Sequence, residues 1–373
     1  MNYSTVYVGM DVHKETFSLS CYTNEKEKAE YTQKVEGHYS KVVNYIEAMR
    51  FHYGSNARFV CGYEAGCLGY SLYRDLTAHG VVCVILAPTT MPSVTGKKRI
   101  KTDKRDAEHI ARCLAHCDYS PVNIPTVRDE QVKDYIRMRD DHKLSLKKVK
   151  QEINAFCLRH GCHYDGTRTK WTQAHVLWLR KIKLEGLDRD ILDEYLLTYD
   201  YLSRRIEELD RNIERIAEEK EYREKVARLT CIKGIKTHTA LSLIVETGDF
   251  RRFADASHYA AYLGLVPGES SSGNTQNRLG ITKAGNCHLR ELLTECAQCY
   301  KRGRAAFKSK PLAARQKGNP PRVIAYADKA NERLMRKYHR MVLKNGKKPN
   351  VATTAISREL ACFIWGMMTE SFD

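Results

Sequence analysis

Thr5–Asp11 reads TVYVGMD, Thr16–Tyr22 reads TFSLSCY, and the stretch beginning at Lys101 reads KTDKRDAEHIA. The first two are short runs rich in β-branched and aromatic residues, the pattern of neighbouring strands. The third places Asp103 and Asp106 three residues apart at a helix start, which puts both on one helical face. An aspartate also closes the first strand, so acids stand at the end of a strand and at the start of a helix.

Outward from these segments, Ala29–Val35 is a third, more polar strand candidate, and His38–Phe51 has helical periodicity through Val42, Tyr45, Ile46 and Met49. Arg58–Glu64 (RFVCGYE) is a strand, Leu68–His79 a helix, Val81–Ala87 (VVCVILA) a buried strand, and Asp106–His116 a closing helix. The order β-β-β-α-β-α-β-α over residues 1–120 predicts an α/β RNase H-like domain, a mixed sheet covered by helices. Beyond Pro121 and Pro125 the pattern changes. Tyr135, Arg139, His142, Leu146, Val149, Ile153 and Phe156 follow steps of four and three, as do Tyr195, Tyr199, Leu202, Ile206, Leu209, Ile213 and Ile216. Residues 121–225 are therefore expected to form a helical hairpin or coiled coil, with its seam either within one chain or between two. From residue 226 to 373 the chain is compact and mainly helical, and IKGIKTHTA looks like a glycine-turned pair of helices of helix-hairpin-helix type.

The 373 residues carry 62 Lys+Arg against 45 Asp+Glu, a net charge of +17, and their 42% hydrophobic content supports packed cores. No run approaches the roughly 18–20 apolar residues of a membrane span, and Met1–Ser20 has no signal-peptide pattern. A cytoplasmic protein with a polyanionic partner is expected. The charge is concentrated: Lys301–Asn350 holds 16 Lys+Arg and 2 Asp+Glu, a net +14. A smaller knot comprises Lys97, Lys98, Arg99, Lys101, Lys104 and Arg105. Both suit phosphate backbones. The 13 cysteines include Cys157/Cys162 and Cys296/Cys299, whose spacings lack a second finger-like pair and favour buried thiols over zinc.

Asp11, Glu64, Asp103 and Asp106 are candidate ligands for two Mg²⁺ ions, because phosphodiester cleavage by paired metals needs several hard oxygen ligands converging on one cleft. A second constellation is YLGLVPGESSSGNTQNRLGITKAGNCHLR, Tyr262–Arg290. Its glycines permit close backbone approach to phosphate, Arg278, Lys283 and Arg290 supply cations, and Ser270, Ser271 and Ser272 supply hydroxyls.

These residues, in this order, resemble the DEDD transposases of the insertion-sequence 110 family, which are bridge-RNA-guided recombinases. The D…E…TDxxDA pattern falls on Asp11, Glu64, Asp103 and Asp106; the later pattern is GLVP…SSG…GITKAGN…LR with a closing apolar helix, VATTAISRELACFIWGMM. The resemblance implies a RuvC-like domain, a coiled-coil segment and a C-terminal transposase domain. It also implies Mg²⁺ on the four acids and a serine nucleophile, Ser272 with Ser271 adjacent, that forms a covalent phosphoserine link to DNA. A tetramer built from dimers is implied, whose active sites draw the acids from one subunit and the serine from another. A noncoding bridge RNA pairing with donor and target DNA completes the picture. Independently of the resemblance, Lys301, Arg302 and Arg304 open the basic stretch and are candidate nucleic-acid contacts. The competing expectation is a metal-only nuclease of resolvase type, in which water attacks.

Overall fold

The structure is a computed structural model describing residues 5–66, 68–92, 102–166, 169–269 and 278–372. The chain divides into two compact units, Met1–Ile124 and Pro125–Asp373.

Unit 1 is mixed α/β. Its elements are β1 (Thr5–Val12), β2 (Thr16–Tyr22), β3 (Ala29–Glu36), α1 (Tyr39–Tyr53), β4 (Arg58–Glu64), α2 (Ser71–Ala78), β5 (Val82–Leu86) and α3 (Asp103–His116). The sheet order is β3-β2-β1-β4-β5. β1, β2 and β3 form an antiparallel meander, while β4 and β5 run parallel to β1. Alternation sorts the side chains to two faces. Val6, Val8, Met10, Leu19, Cys21, Phe59, Cys61 and Tyr63 are buried under α1 and α2, against Val42, Ile46, Met49, Leu72 and Leu76. The opposite face packs Leu86, Val84 and Tyr7 against Ile110, Cys113 and Leu114 of α3.

Helix α3 begins at Asp103 and carries Asp106 in the same first turn. Thr102 is its N-cap, with Oγ1 accepting from the Arg105 N–H at 3.4 Å. Such a cap contributes about 1 kcal/mol by satisfying an orphan amide. Two acids in the first turn suit the positive end of the helix dipole.

Unit 2 is mainly helical: α4 (Val127–Arg159), α5 (Gln173–Lys181), α6 (Leu187–Ala217), α7 (Arg223–Thr230), α8 (Thr237–Thr247) and α9 (Ala256–Tyr262) precede a two-stranded ribbon, β6 (Pro267–Glu269) and β7 (Arg278–Ile281). Then follow α10 (Cys287–Ala297), α11 (Lys310–Gln316), α12 (Pro321–His339), a π-helical turn at Arg340–Lys344, and α13 (Pro349–Thr369). The long helices α4 and α6 pair within the chain. Val149, Ile153 and Phe156 of α4 are buried against Leu192, Leu196 and Leu202 of α6, with Leu179 of α5. Arg139, a polar seam position, makes a two-pronged pair with Asp210 at 2.7 and 2.9 Å. His142 turns outward and bonds the Met138 carbonyl of its own helix.

The apolar closing segment is core: Ala352, Ile356, Leu360, Ala361, Ile364 and Met367 of α13 are fully buried. Each large aliphatic side chain there contributes roughly 1.5–3 kcal/mol. Gly234, at φ +91°, turns the chain between α7 and α8, and the backbone of Lys233 beside it is engaged internally. Asn331 accepts from Lys233 N–H at 2.8 Å, and Tyr300 donates to the Lys233 carbonyl at 2.9 Å. Among the described residues no cysteine joins a cluster of three potential metal ligands and none is disulfide-bonded. No helix is long and apolar enough to cross a membrane among those residues.

Candidate active site

The sheet register builds the acidic site. Asp11 of β1 pairs with Ser18 of β2, and Ser18 pairs with Lys34 of β3, so these three lie in one row on the α3 face. On the other side β1 and β4 run in register through Met10 and Tyr63, which sets Glu64 at the level of Asp11. Gly9, two residues before Asp11, lets α3 sit directly on β1. A Cβ there would fall 2.1 Å from the Ala107 carbonyl oxygen and 2.2 Å from the Ala111 nitrogen. Asp103 and Asp106 share the helical stripe of Ala107, Ile110 and Ala111, so the contact that seats the helix also aims its acids at the row below.

Asp11 and Asp103 converge, with a histidine between them. One ligand atom each from Asp11, His13 and Asp103 lies within 4.8 Å of the others. His13 Nε2 is 3.3 Å from Asp11 Oδ2 and 3.9 Å from Asp103 Oδ1. Lys34 Nζ donates to Asp103 Oδ2 at 2.9 Å. Asp11 Oδ2 is buried yet finds no well-aligned hydrogen-bond partner. Burial raises the Asp11 carboxyl above its ordinary value; His13 opposes this, and the charges of Asp106 and Asp103 add to it. Lys34 holds the Asp103 carboxyl below its ordinary value. Glu64 is exposed at the end of β4, and its charge contributes, after burial and Asp118, to a Cys113 thiol pushed up to about 11. A cleft of about 510 Å³ lined by Ser18, Lys34, Thr102, Asp103 and Lys104 opens beside the acids.

His13 and Lys34 are absent from the sequence expectations. His13 carries a signal there, since it follows Asp11 by two residues in VGMDVHK; Lys34 emerges only from the register of the meander. Of the smaller basic knot, Lys104 lies near Glu108 at 3.9 Å and Arg105 is exposed. Lys97, Lys98, Arg99 and Lys101 lie outside the described residues, as do Ser270, Ser271 and Ser272.

The base of the serine segment is described, and it is tightly built. β6 and β7 pair at Pro267–Ile281 and Glu269–Arg278. Gly285, at φ +75°, lies so close to the Tyr262 carbonyl that a Cβ would fall 1.9 Å from its oxygen. Arg290 donates to the carbonyls of Leu263 and Ala284 at 2.9 and 3.2 Å, clasping the two ends of the segment together. Lys283 is exposed, with its backbone N–H on the Gly264 carbonyl, and Arg302 and Arg304 are exposed while Lys301 is half-buried.

Just beyond lies a polar network foreseen in none of its members. His288 is 3.0 Å from Asp140 through Nε2 and 3.2 Å from Glu246 through Nδ1. Glu246 also accepts from Arg137 at 2.7 and 2.9 Å and from Asn286 at 2.9 Å. His238 Nε2 approaches Asp140 at 3.0 Å. Asp140 first, then Glu246, raises the His288 imidazole to about 9. Burial of Glu246 opposes its charge, but His288, Arg137 and Asn286 hold its carboxyl down at about 2. The His288 contribution to stability is complete below its ordinary 6.5 and is lost as pH rises through about 9. That of Glu246 is complete above 4.5 and is lost as pH falls through about 2. Asp140→Ala takes the first partner from the half-buried His288 imidazolium, leaving it Glu246 alone, and is expected to cost roughly 2–3 kcal/mol. Urea melts should show the full deficit near pH 6 and a smaller one above pH 9; an equal deficit at both would contradict the charged network.

Asp11 and Asp103, with His13 between them at one end of a sheet beneath a helix start, are a set of donors that could hold a divalent cation, the class of site used by metal-dependent enzymes. Residues 8–160 match a DEDD transposase family model, and residues 226–310 match the model described as the transposase IS116/IS110/IS902 family. The transposase for insertion sequence element IS1533 of Leptospira borgpetersenii is 33% identical over 92% of this chain and 98% of its own. A relative from Sinorhizobium fredii is 32% identical over 99% of this chain and 90% of its own. The transposase for IS1111A of Coxiella burnetii is 26% identical over 79% of this chain and 78% of its own. This chain belongs to the IS110 family of transposases, enzymes of DNA transposition.

Proposed function

We propose that the chain is an RNA-guided DNA recombinase that cleaves and rejoins donor and target DNA to mobilise its own element. In this reading Asp11, Glu64, Asp103 and Asp106 hold Mg²⁺ in an RNase H-like, RuvC-like domain, and Ser272, or Ser271 beside it, is the nucleophile. The observation that carries the metal assignment is Asp11 Oδ2, buried with no well-aligned hydrogen bond, only the His13 imidazole at 3.3 Å, and close to Asp103. Hard carboxylate oxygens are the donors Mg²⁺ prefers, and a strand end with a capped helix start holds them rigidly. When bound, Mg²⁺ would neutralise the charge that develops on the phosphate. Strand order β3-β2-β1-β4-β5 with three antiparallel and two parallel strands supports the domain assignment.

The serine reading rests on the match of the GLVP…SSG…GITKAGN pattern. The seryl oxygen bonds to phosphorus as the bond from phosphorus to a deoxyribose oxygen breaks, and the released sugar hydroxyl keeps the proton that serine gives up. Reversal of that step by a hydroxyl from another strand rejoins the DNA without external energy. Bridge RNA and a tetramer of the chain complete the proposal; the family pattern supports both.

The test is a covalent protein–DNA adduct, resolved on a denaturing gel after reaction with DNA carrying the element's ends and the flanking noncoding RNA. The adduct should form with the wild type and disappear in Ser272→Ala. Strand exchange without RNA would defeat guidance. Strand cleavage at the wild-type rate by a Ser271→Ala/Ser272→Ala double variant, without an adduct or rejoined product, would leave the metal-only nuclease, with water attacking.

A further inference from the structure

The net +14 of Lys301–Asn350 is not spread evenly over the surface. Along α12 and the π-helical turn, Lys329, Arg333, Arg336, Arg340 and Lys344 follow one another at steps of four, three, four and four, which places them on one face. They line an open groove of about 870 Å³. We propose that this groove binds the sugar-phosphate backbone of duplex DNA. The inference depends on the DNA substrate that the family assignment brings, and on neither the metal nor the serine.

The charges in the groove are unequal in availability. Glu332 pairs with Arg336, and Glu359 of α13 clamps both Arg333 and Lys337. Burial of Glu359 opposes its ionisation, yet Lys337 and Arg333 hold its carboxyl below the ordinary value. These pairs fix the wall of the groove to a helix whose other face is core. Lys329, Arg340 and Lys344 form no ion pair among the described residues, so they are left for an external anion. Arg340 and Lys344 bracket the π-helical turn, a feature that recurs at functional sites. The turn is tied down by the Lys347 N–H on the Met341 carbonyl at 2.9 Å.

The lining also selects the form of nucleic acid. Single strands are held by aromatic platforms on which bases stack. The groove is lined by no Phe, Tyr or Trp among the described residues; its one ring is the half-buried His339, and the neighbouring Tyr338 is buried in the core. A cationic stripe whose only ring is one imidazole offers no run of stacking platforms and suits a duplex, whose bases are already stacked and whose phosphates face outward. From Lys329 to Lys344 the helical rise gives about 20 Å, the length of roughly six base pairs. The groove lies beyond both segments that match the family models, 8–160 and 226–310.

The experiment uses the full chain carrying Asp11→Asn, so that no DNA is cut and binding is read apart from catalysis. Fluorescence anisotropy follows a labelled duplex of arbitrary sequence across roughly 50–200 mM salt. Lys329→Gln/Arg340→Gln/Lys344→Gln should weaken binding roughly 10- to 100-fold and flatten the log–log salt slope by about 2–3, near 0.9 for each lost phosphate contact. A control with the same charge loss elsewhere, Lys147→Gln/Lys181→Gln/Lys225→Gln, should change affinity far less. The charge-keeping set Lys329→Arg/Arg340→Lys/Lys344→Arg should bind as the parent. If circular dichroism shows the triple variant misfolded, Arg340→Gln alone decides, with a slope change near 0.9. Equal losses in groove and control variants would overturn the proposal. So would a loss confined to single-stranded RNA with duplex binding intact, which would give the groove to RNA.

Discussion

Asp11→Asn is expected to abolish DNA strand cleavage, by about 1000-fold or more, while making the metal-free protein more stable. The two effects have one cause. Asparagine keeps the shape of the side chain and removes the charge that a cation would need. In the metal-free fold that same charge is a liability: the carboxylate is largely buried, the His13 imidazole 3.3 Å from Oδ2 offsets this only in part, and Asp106 and Asp103 repel it. A carboxyl whose folded pKa lies above its ordinary 3.8 destabilises the fold at every pH above that range, so neutral Asn should raise Tm at pH 7, by roughly 2 °C. Excess divalent cation should reverse the order, because only the wild type gains from binding it. Cation affinity should in turn fall on acidification at a higher pH than for an ordinary aspartate, since protons compete for the same oxygens. Retained cleavage, or a metal-free Tm lower than the wild type's, would contradict the assigned role of Asp11. Thermal melts with and without metal, beside a cleavage assay, measure both.

The strands and the first-unit helices were legible because each has a period that its burial requires. Val6, Val8 and Met10 alternate because one face of β1 lies under α1 and α2, and Val42, Ile46 and Met49 repeat as a helix does. Asp103 and Asp106 could be placed on one face by the same logic, and the structure brings Asp103 beside Asp11. Partners across strands were not legible. Lys34 reaches Asp103 only because β2 turns at a particular residue and sets Lys34 in the row of Ser18. Asp140, His238, Glu246 and His288 come from three helices and meet across as many as 148 positions of chain, a distance over which no periodicity speaks. Charge itself was visible, but its use was not. Arg290 stands in a glycine-rich segment as though for phosphate, yet its guanidinium bonds two backbone carbonyls. In the groove, by contrast, knowing which cations Glu332 and Glu359 already hold leaves Lys329, Arg340 and Lys344 as the available ones.

Gly9→Ala should cost at least about 100-fold in cleavage, although residue 9 contributes no side chain to the chemistry. Alanine suits a strand better than glycine, so the loss must come from space. The added methyl would fall 2.1 Å from the Ala107 oxygen and 2.2 Å from the Ala111 nitrogen, and both are helix backbone with no rotamer to yield. Restoring ordinary contact moves α3 away from β1 by about 1 Å, carrying Asp103 and Asp106 off the row that holds Asp11. A misplacement of that size is enough to cost about 100-fold. Overpacking adds roughly 1–3 kcal/mol of instability. Gly62→Ala is the control, on the same face of the next strand. Its Cβ would meet the methyl tips of Leu114 and Leu86 at 2.8 Å, and these can rotate away. It should therefore keep most of its cleavage activity and lose less stability. Duplex binding through the α12 groove should be unchanged in both. A Gly9→Ala protein that cleaves and melts like the wild type, or a Gly62→Ala protein that fares worse, would show that the seating of α3 on Gly9 does not set the geometry of the acids.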